Sequence, residues 1–146
     1  DQKFEIGKAL LLNEGADVSI FATGHLVWKA IEAGEQLAEM GINAEIINIH
    51  TIKPLDNAAV LASVKKTKCV VTAEEHQLNG GLADSIAQLL AKELPTPLEA
   101  VAVNDSFGES GTPDQLMTKY GLDAVNIVAA VKKVIERKQK FAKATV

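Results

Sequence analysis

One cysteine, Cys69, is all the 146-residue sequence contains, so no internal disulfide can form. A buried, inert thiol within a strand fits, and with it a reducing, cytoplasmic location. Positive charge is also short. Fifteen Lys and Arg stand against nineteen Asp and Glu, for a net charge of −4 and a pI near 5.4. A nucleic-acid partner asks for a strongly basic surface, and none is offered. The one basic run (Lys132, Lys133, Arg137, Lys138, Lys140, Lys143) falls on a predicted helix and its tail and reads as a solvated face. No apolar stretch approaches the roughly 18 residues of a membrane span. Signal peptide, repeats and low-complexity tracts are missing too. So are the phosphate-binding patterns G-x-G-x-x-G and G-x-x-x-x-G-K-[ST], and the G-x-S-x-G elbow of a nucleophilic serine. Ser110 lies between glycines but precedes a turn, as a loop serine would.

What is present is a regular alternation of apolar runs and periodic segments. With 47% hydrophobic residues the chain can build one globular core. Ala9 to Leu12 reads as a short strand, turning at Asn13-Glu14-Gly15 to pair with the next strand as a hairpin. Asp17 to Thr23 is that strand. Gly24-His25 leads into a helix from Leu26 to Met40, with Val27, Ala30, Ile31, Gly34, Leu37 and Ala38 on one face. Gly34 permits close approach to the sheet, and Gly41 stops the helix. Trp28 flanks the stripe and is expected to pack, within the chain or against a partner. Asn43 to Ile49 is a strand covered on both faces. Pro54 forces extended backbone at Lys53, and Asp56 caps a helix through Val64. Cys69 to Ala73 is a buried strand, and a helix follows Gly80-Gly81 to about Leu94. Pro97 to Val103 is the last strand. Thr112-Pro113-Asp114-Gln115 opens a short helix that Gly121 stops, and Asp123 caps a final helix that frays beyond Arg137. Such an order predicts a three-layer α/β domain over residues 1–146. Its mixed sheet has five strands, four parallel and one an antiparallel edge strand, with helices on both faces.

His25, His50 and His76 each follow a different predicted strand closely, and Glu74 and Glu75 end one of those strands. In an open α/β sheet these carboxyl ends share one edge, where ligands and partners meet the fold. Two or three His with Glu could suit zinc or iron, but only from adjacent strands. Hydrogen-bonded loop or interface roles outweigh metal binding and catalysis. Gly80-Gly81 reads as close backbone packing rather than an anion site. On the residues alone, the chain is an α/β module without a complete active site.

The ordered motifs resemble a family. Asp17 to Gly24, Met40-Gly41-Ile42, Ala44 to Asn48, Ile52-Lys53-Pro54-Leu55-Asp56, and Val71 to His76 with Gly80-Gly81 are similar to the C-terminal domain of thiamine-diphosphate transketolases. That kinship includes 1-deoxyxylulose-5-phosphate synthase and the β subunit of 2-oxo acid dehydrogenases. Phe107 to Pro113 and Tyr120-Gly121-Leu122 lean toward transketolase, in its short or split "C-terminal section" form. The resemblance implies a Rossmann-like domain of an enzyme that moves a two-carbon ketol unit between sugar phosphates. In that enzyme thiamine diphosphate and Mg2+ are held by other domains, absent here, and no Gly-Asp-Gly segment followed by Asn is found. The resemblance therefore implies no catalytic, cofactor-binding or metal residue in this chain. It implies a structural and assembly role, with the remaining transketolase domains and a homodimer as partners. His25, His50, Glu74, Glu75, His76 and Asn79 are the candidate interdomain or dimer interface. The reading from another class is an autonomous small-ligand or metal-binding module built on the histidine edge. Residue 1 is Asp, and the assembly reading expects further coding sequence upstream.

Overall fold

The computed structural model describes the backbone of residues 7–75, 81–103 and 113–144, and the side chains of these residues except 103 and 113–123. The elements are β1 (Leu10–Asn13), β2 (Val18–Ala22), α1 (Leu26–Glu39), β3 (Ala44–Asn48), α2 (Asn57–Thr67), β4 (Val70–Glu75), α3 (Gly81–Glu93), β5 (Leu98–Val103) and α4 (Pro113–Ala144). The five strands lie in the order β1-β3-β2-β4-β5. β2 runs parallel to both β3 and β4, β4 runs parallel to β5, and β1 is antiparallel to β3.

Alternation along the strands divides the core in two. Ile20 and Ala22 of β2, Ile46 of β3 and Val71 and Ala73 of β4 face α1 and α4. Phe21, Ile47 and Val70 face α2 and α3. All five residues of β2 are buried, as a central parallel strand requires. A Schellman turn ends α1: Ile42 N–H reaches Leu37 O at 2.9 Å and Gly41 N–H reaches Ala38 O at 3.0 Å, with Gly41 at φ +79°. Gly34 allows the expected close approach, since a Cβ there would lie 2.7 Å from Ile46 Cδ1. Asp56 caps α2 through Oδ1 to Ala59 N–H at 3.2 Å.

Two polar clusters tie β2 and β3 to α2. Ser19 Oγ lies 2.6 Å from both Ser63 Oγ and Thr67 Oγ1, fully buried, and Thr67 Oγ1 also meets the Cys69 carbonyl at 3.3 Å. Beside them Glu45, 3% exposed, takes the Lys66 ammonium and the Gly15 N–H. Burial pushes the Glu45 carboxyl up. Hydrogen bonds from Lys66, Ser63 and the Gly15 backbone, with the Lys66 charge, outweigh that and hold it below its ordinary value. Burial likewise raises the Cys69 thiol to about 11, against the opposing charge of Lys138.

The structure corrects three expectations. β1 does not form a hairpin with β2 but pairs with β3, Leu10 opposite Asn48 and Leu11 opposite Ile47. Both sides of β2 are taken by parallel neighbours, and β1 lies instead along the outer edge of β3. Asn13 Nδ2 secures the pairing by donating to Ala44 O at 2.8 Å. Second, α4 is one helix of 32 residues that runs through Gly121 and Asp123 and on to Ala144. A glycine inside a helix costs only about 1 kcal/mol. Burial of Ala124, Ile127, Val131 and Val134 further along outweighs it. Third, Trp28 does not pack within the chain but stands 76% exposed. The Lys53–Pro54 peptide bond is cis.

Candidate functional site

The topology sets β3, β2 and β4 side by side and parallel, so their carboxyl ends, at Asn48, Ala22 and Glu75, form one continuous edge. His50 follows β3 by two residues and is exposed. His25 follows β2 at the N-cap of α1, exposed, with no side-chain bond to the helix end. Glu75 ends β4, half-buried, and a methyl placed on Gly24 would sit 3.9 Å from its Oε1. The edge thus brings His25 and Glu75 onto neighbouring strand ends, with His50 on the next. His76 and Asn79 lie outside the described residues, as do Gly80 and the segment from Asn104 to Thr112. Among the described residues no three His, Cys, Asp or Glu side chains gather to hold a metal.

Glu74 is placed differently from its neighbour. It shares the face of Val70 and Thr72, points inward, and is 2% exposed. Its Oε1 accepts the Leu82 N–H at 3.2 Å and its Oε2 the Ala83 N–H at 3.0 Å. A strand-end carboxylate therefore caps α3, where the positive end of the helix favours it. Glu74 is spent within the chain and, contrary to the expectation, is not part of the exposed edge. Strict alternation from Val70 was the signal: an acid two residues beyond Thr72 has to face α2 and α3.

Donors at the starts of α1 and α2 are met too, by backbone carbonyls and by Asp56. In α1, Leu26 N–H reaches Thr23 O at 3.1 Å and Val27 N–H reaches Gly24 O at 3.3 Å. In α2, Asn57 N–H reaches Leu55 O at 2.9 Å and Ala59 N–H meets Asp56. Free N–H groups at a helix start are what phosphate binding exploits. At the starts of α1 and α2 the N–H groups of Leu26, Val27, Asn57 and Ala59 are met by the chain's own oxygens, and at α3 those of Leu82 and Ala83 by a carboxylate that would repel a second anion. The described residues of the edge do not fit a diphosphate group. They offer instead a surface of exposed imidazoles and one half-buried carboxylate.

The chain comes to this same edge at its amino-terminal side. β1 is antiparallel, so Leu10 lies opposite the last residue of β3. Ala9 N–H donates to Asp56 Oδ2 at 2.9 Å, and a Cβ on Gly7 would lie 3.3 Å from Pro54 Cγ. Gly7 and Ala9 therefore lie at the carboxyl edge, against Pro54 and Asp56.

Comparison with known proteins gives this arrangement its context. A family model described as "Transketolase, C-terminal domain" matches residues 7–127. The chain is 50% identical over 138 residues to 6-deoxy-6-sulfo-D-fructose transketolase subunit SqwH of Clostridium sp. (strain MSTE9), covering 94% of this chain and 43% of that protein. It is 39% identical over 139 residues to 1-deoxy-D-xylulose-5-phosphate synthase 1 of Geobacter sulfurreducens, covering 94% of this chain and 22% of the synthase. Among solved structures, a split-gene transketolase in the form of an inactive β4 tetramer superposes with a TM-score of 0.81 at 44% identity, over 94% of this chain and 45% of its own. The chain spans less than half the length of these relatives. The sheet, the motifs in their order and the matched residues agree, and the chain belongs to the transketolase C-terminal domain family.

Proposed function

We propose that the chain is the assembly domain of a split-gene transketolase subunit. The whole enzyme transfers a two-carbon ketol unit between sugar phosphates of the pentose phosphate pathway in the cytoplasm. Thiamine diphosphate and Mg2+ supply the carbanion chemistry and are held by domains outside these residues. The carboxyl edge, with His25, His50 and Glu75, seats the domain that precedes Gly7 or the subunit paired with it, and His76 and Asn79 extend that surface. The working enzyme is a dimer of such units. The observation that carries the reading is the closure of the α1, α2 and α3 starts by Thr23, Gly24, Asp56 and Glu74. An edge whose anion sites are internally filled suits contact with protein rather than with a cofactor phosphate. Identity to the transketolase subunit, 50% against 39% for the synthase, favours ketol transfer over the synthase reaction.

The test is reconstitution of the full-length subunit with its partner. His25→Ala with Glu75→Ala is expected to weaken subunit association at least tenfold in sedimentation, with ketol transfer falling in step. Thiamine diphosphate affinity of the enzyme that still assembles should stay at the wild-type value. Unchanged association and activity in that variant would remove the interface reading. So would micromolar binding of thiamine diphosphate to this domain alone by calorimetry.

A further inference from the structure

The outer faces of α1 and α4 carry opposite charge. On α1 the exposed residues Trp28, Glu32, Glu35 and Glu39 follow at spacings of four, three and four, which is one stripe of a helix. The only lysine of that helix, Lys29, is 5% exposed and turned away from the stripe. On α4 the exposed Val125, Lys132, Lys140 and Lys143 form the matching stripe, interrupted by Glu136, which pairs with Lys140 at 3.4 Å. Lys133 and Arg137 are turned aside to Glu99 of β5. The two helices pack side by side on one face of the sheet. They also run in the same direction. α1 leaves the carboxyl end of β2, and α4 arrives at the amino ends, where Lys138 Nζ donates to Asp17 O and Thr67 O. Trp28, at 76% exposure, and Val125, at 52%, therefore stand at the same end of the layer, with the exposed Met40 and Phe141 at the other.

We infer that this two-helix layer is a docking face for a second copy of the same chain. The inference deepens the assembly reading above, on which it rests for a chain that works as part of an oligomer. A two-fold contact is isologous, so each patch must complement itself. If the axis crossed the helices, α1 would face α1 and glutamates would meet glutamates. If the axis runs along the helices between them, α1 of each copy lies over α4 of the other. Glu32 and Glu35 then meet the lysine stripe of the partner copy, and Trp28 meets its Val125 end. Charge selects the second arrangement. An exposed tryptophan at the border of a charged patch is the side chain best suited to anchor such a contact. The charged stripes set its register and make it sensitive to salt.

The test uses the full-length subunit and sedimentation velocity. Glu32→Lys with Glu35→Lys makes both stripes basic, and Lys132→Glu with Lys140→Glu makes both acidic. Each double variant alone is expected to lose at least tenfold in self-association. Mixing the two is expected to restore the wild-type mass, because every contact in the mixed pair again joins opposite charges. Rescue between different molecules cannot come from ion pairs within one protomer. Trp28→Ala, which removes an exposed side chain and leaves folding intact, should weaken self-association by a similar factor. The inference is overturned if both charge variants keep the wild-type mass, if the mixture stays dissociated, or if the wild type does not self-associate. It is also overturned if the variants lose only a different subunit. That last result leaves the carboxyl-edge reading standing, which the His25 and Glu75 variant tests separately.

Discussion

The Glu74 carboxylate receives the Ala83 N–H at 3.0 Å, joining the end of β4 to the first turn of α3 across nine positions of sequence. The Leu82 N–H shares the same carboxylate. Bonds of this kind, to a buried charge, contribute about 1.5–3 kcal/mol, and removing the acceptor leaves buried donors unpaired. Glu74→Ala should therefore lower unfolding stability by about 3 kcal/mol in urea denaturation. Glu74→Gln, which keeps one acceptor oxygen, should cost less. Equal stability of Glu74→Ala and wild type would mean that water replaces the carboxylate and that the cap is incidental.

Two glycines make a paired prediction. A Cβ on Gly15 would lie 2.4 Å from the Ala44 carbonyl carbon and 2.5 Å from Asn43 O, both backbone atoms that cannot yield cheaply. Gly15→Ala should push β2 away from β3 and cost about 2 kcal/mol or more. A Cβ on Gly34 would meet only the tip of Ile46 at 2.7 Å, which can rotate aside. Alanine also improves helix propensity by about 1 kcal/mol. Gly34→Ala should fall within about 1 kcal/mol of wild type. Thermal or chemical melts of the two variants side by side decide the point, and reversal of the order would contradict the packing described.

Acid should act through Glu45. Its folded pKa is depressed below the ordinary 4.5, so its contribution is fully present above that value. It is lost as pH falls through the folded pKa, when the carboxyl takes up a proton and releases Lys66. Stability measured from pH 6 downward should decline below about 4.5 in the wild type. The Glu45→Gln variant should start about 1–2 kcal/mol lower and show a shallower acid limb. Identical acid limbs in the two proteins would mean that other carboxylates carry the pH dependence.

How far the sequence revealed this structure depends on which residue is asked. Five strands and their alternating helices were legible because buried parallel strands leave unbroken apolar runs and α1 leaves a 3.6-residue stripe. Local signals such as Asp56 and Gly41 acted as their chemistry dictates. The partner of β1 was not legible, because pairing is decided by which strand edge stays open, and that depends on β4 and β5, far along the chain. Gly121 misled for the opposite reason: a real but small local cost was outweighed by burial several residues later. At the candidate site, His25, His50 and Glu75 were placed correctly on one edge by the parallel topology. Glu74 was read as part of the same cluster because adjacent charges look alike in a sequence, although alternate strand residues face opposite layers. Trp28 was assigned first to packing within the chain from its nearness to the stripe, and only its angular position around α1 leaves it outside the core.

The Ser19, Ser63 and Thr67 hydroxyls raise a question of proton supply. Four links run in single file from the Glu45 carboxylate through Ser63, Ser19 and Thr67 to the Cys69 carbonyl, and both ends can only accept. Three hydroxyls bring three protons to these four links. The 3.3 Å contact at the Cys69 end is the long one, against 2.6 Å for the two inner links. Thr67 donates across that longer contact and Ser63 donates to Glu45, so the single proton of Ser19 has to serve both of its neighbours. One buried hydroxyl of β2 thus links a carboxylate of β3 that it never touches to the last turn of α2.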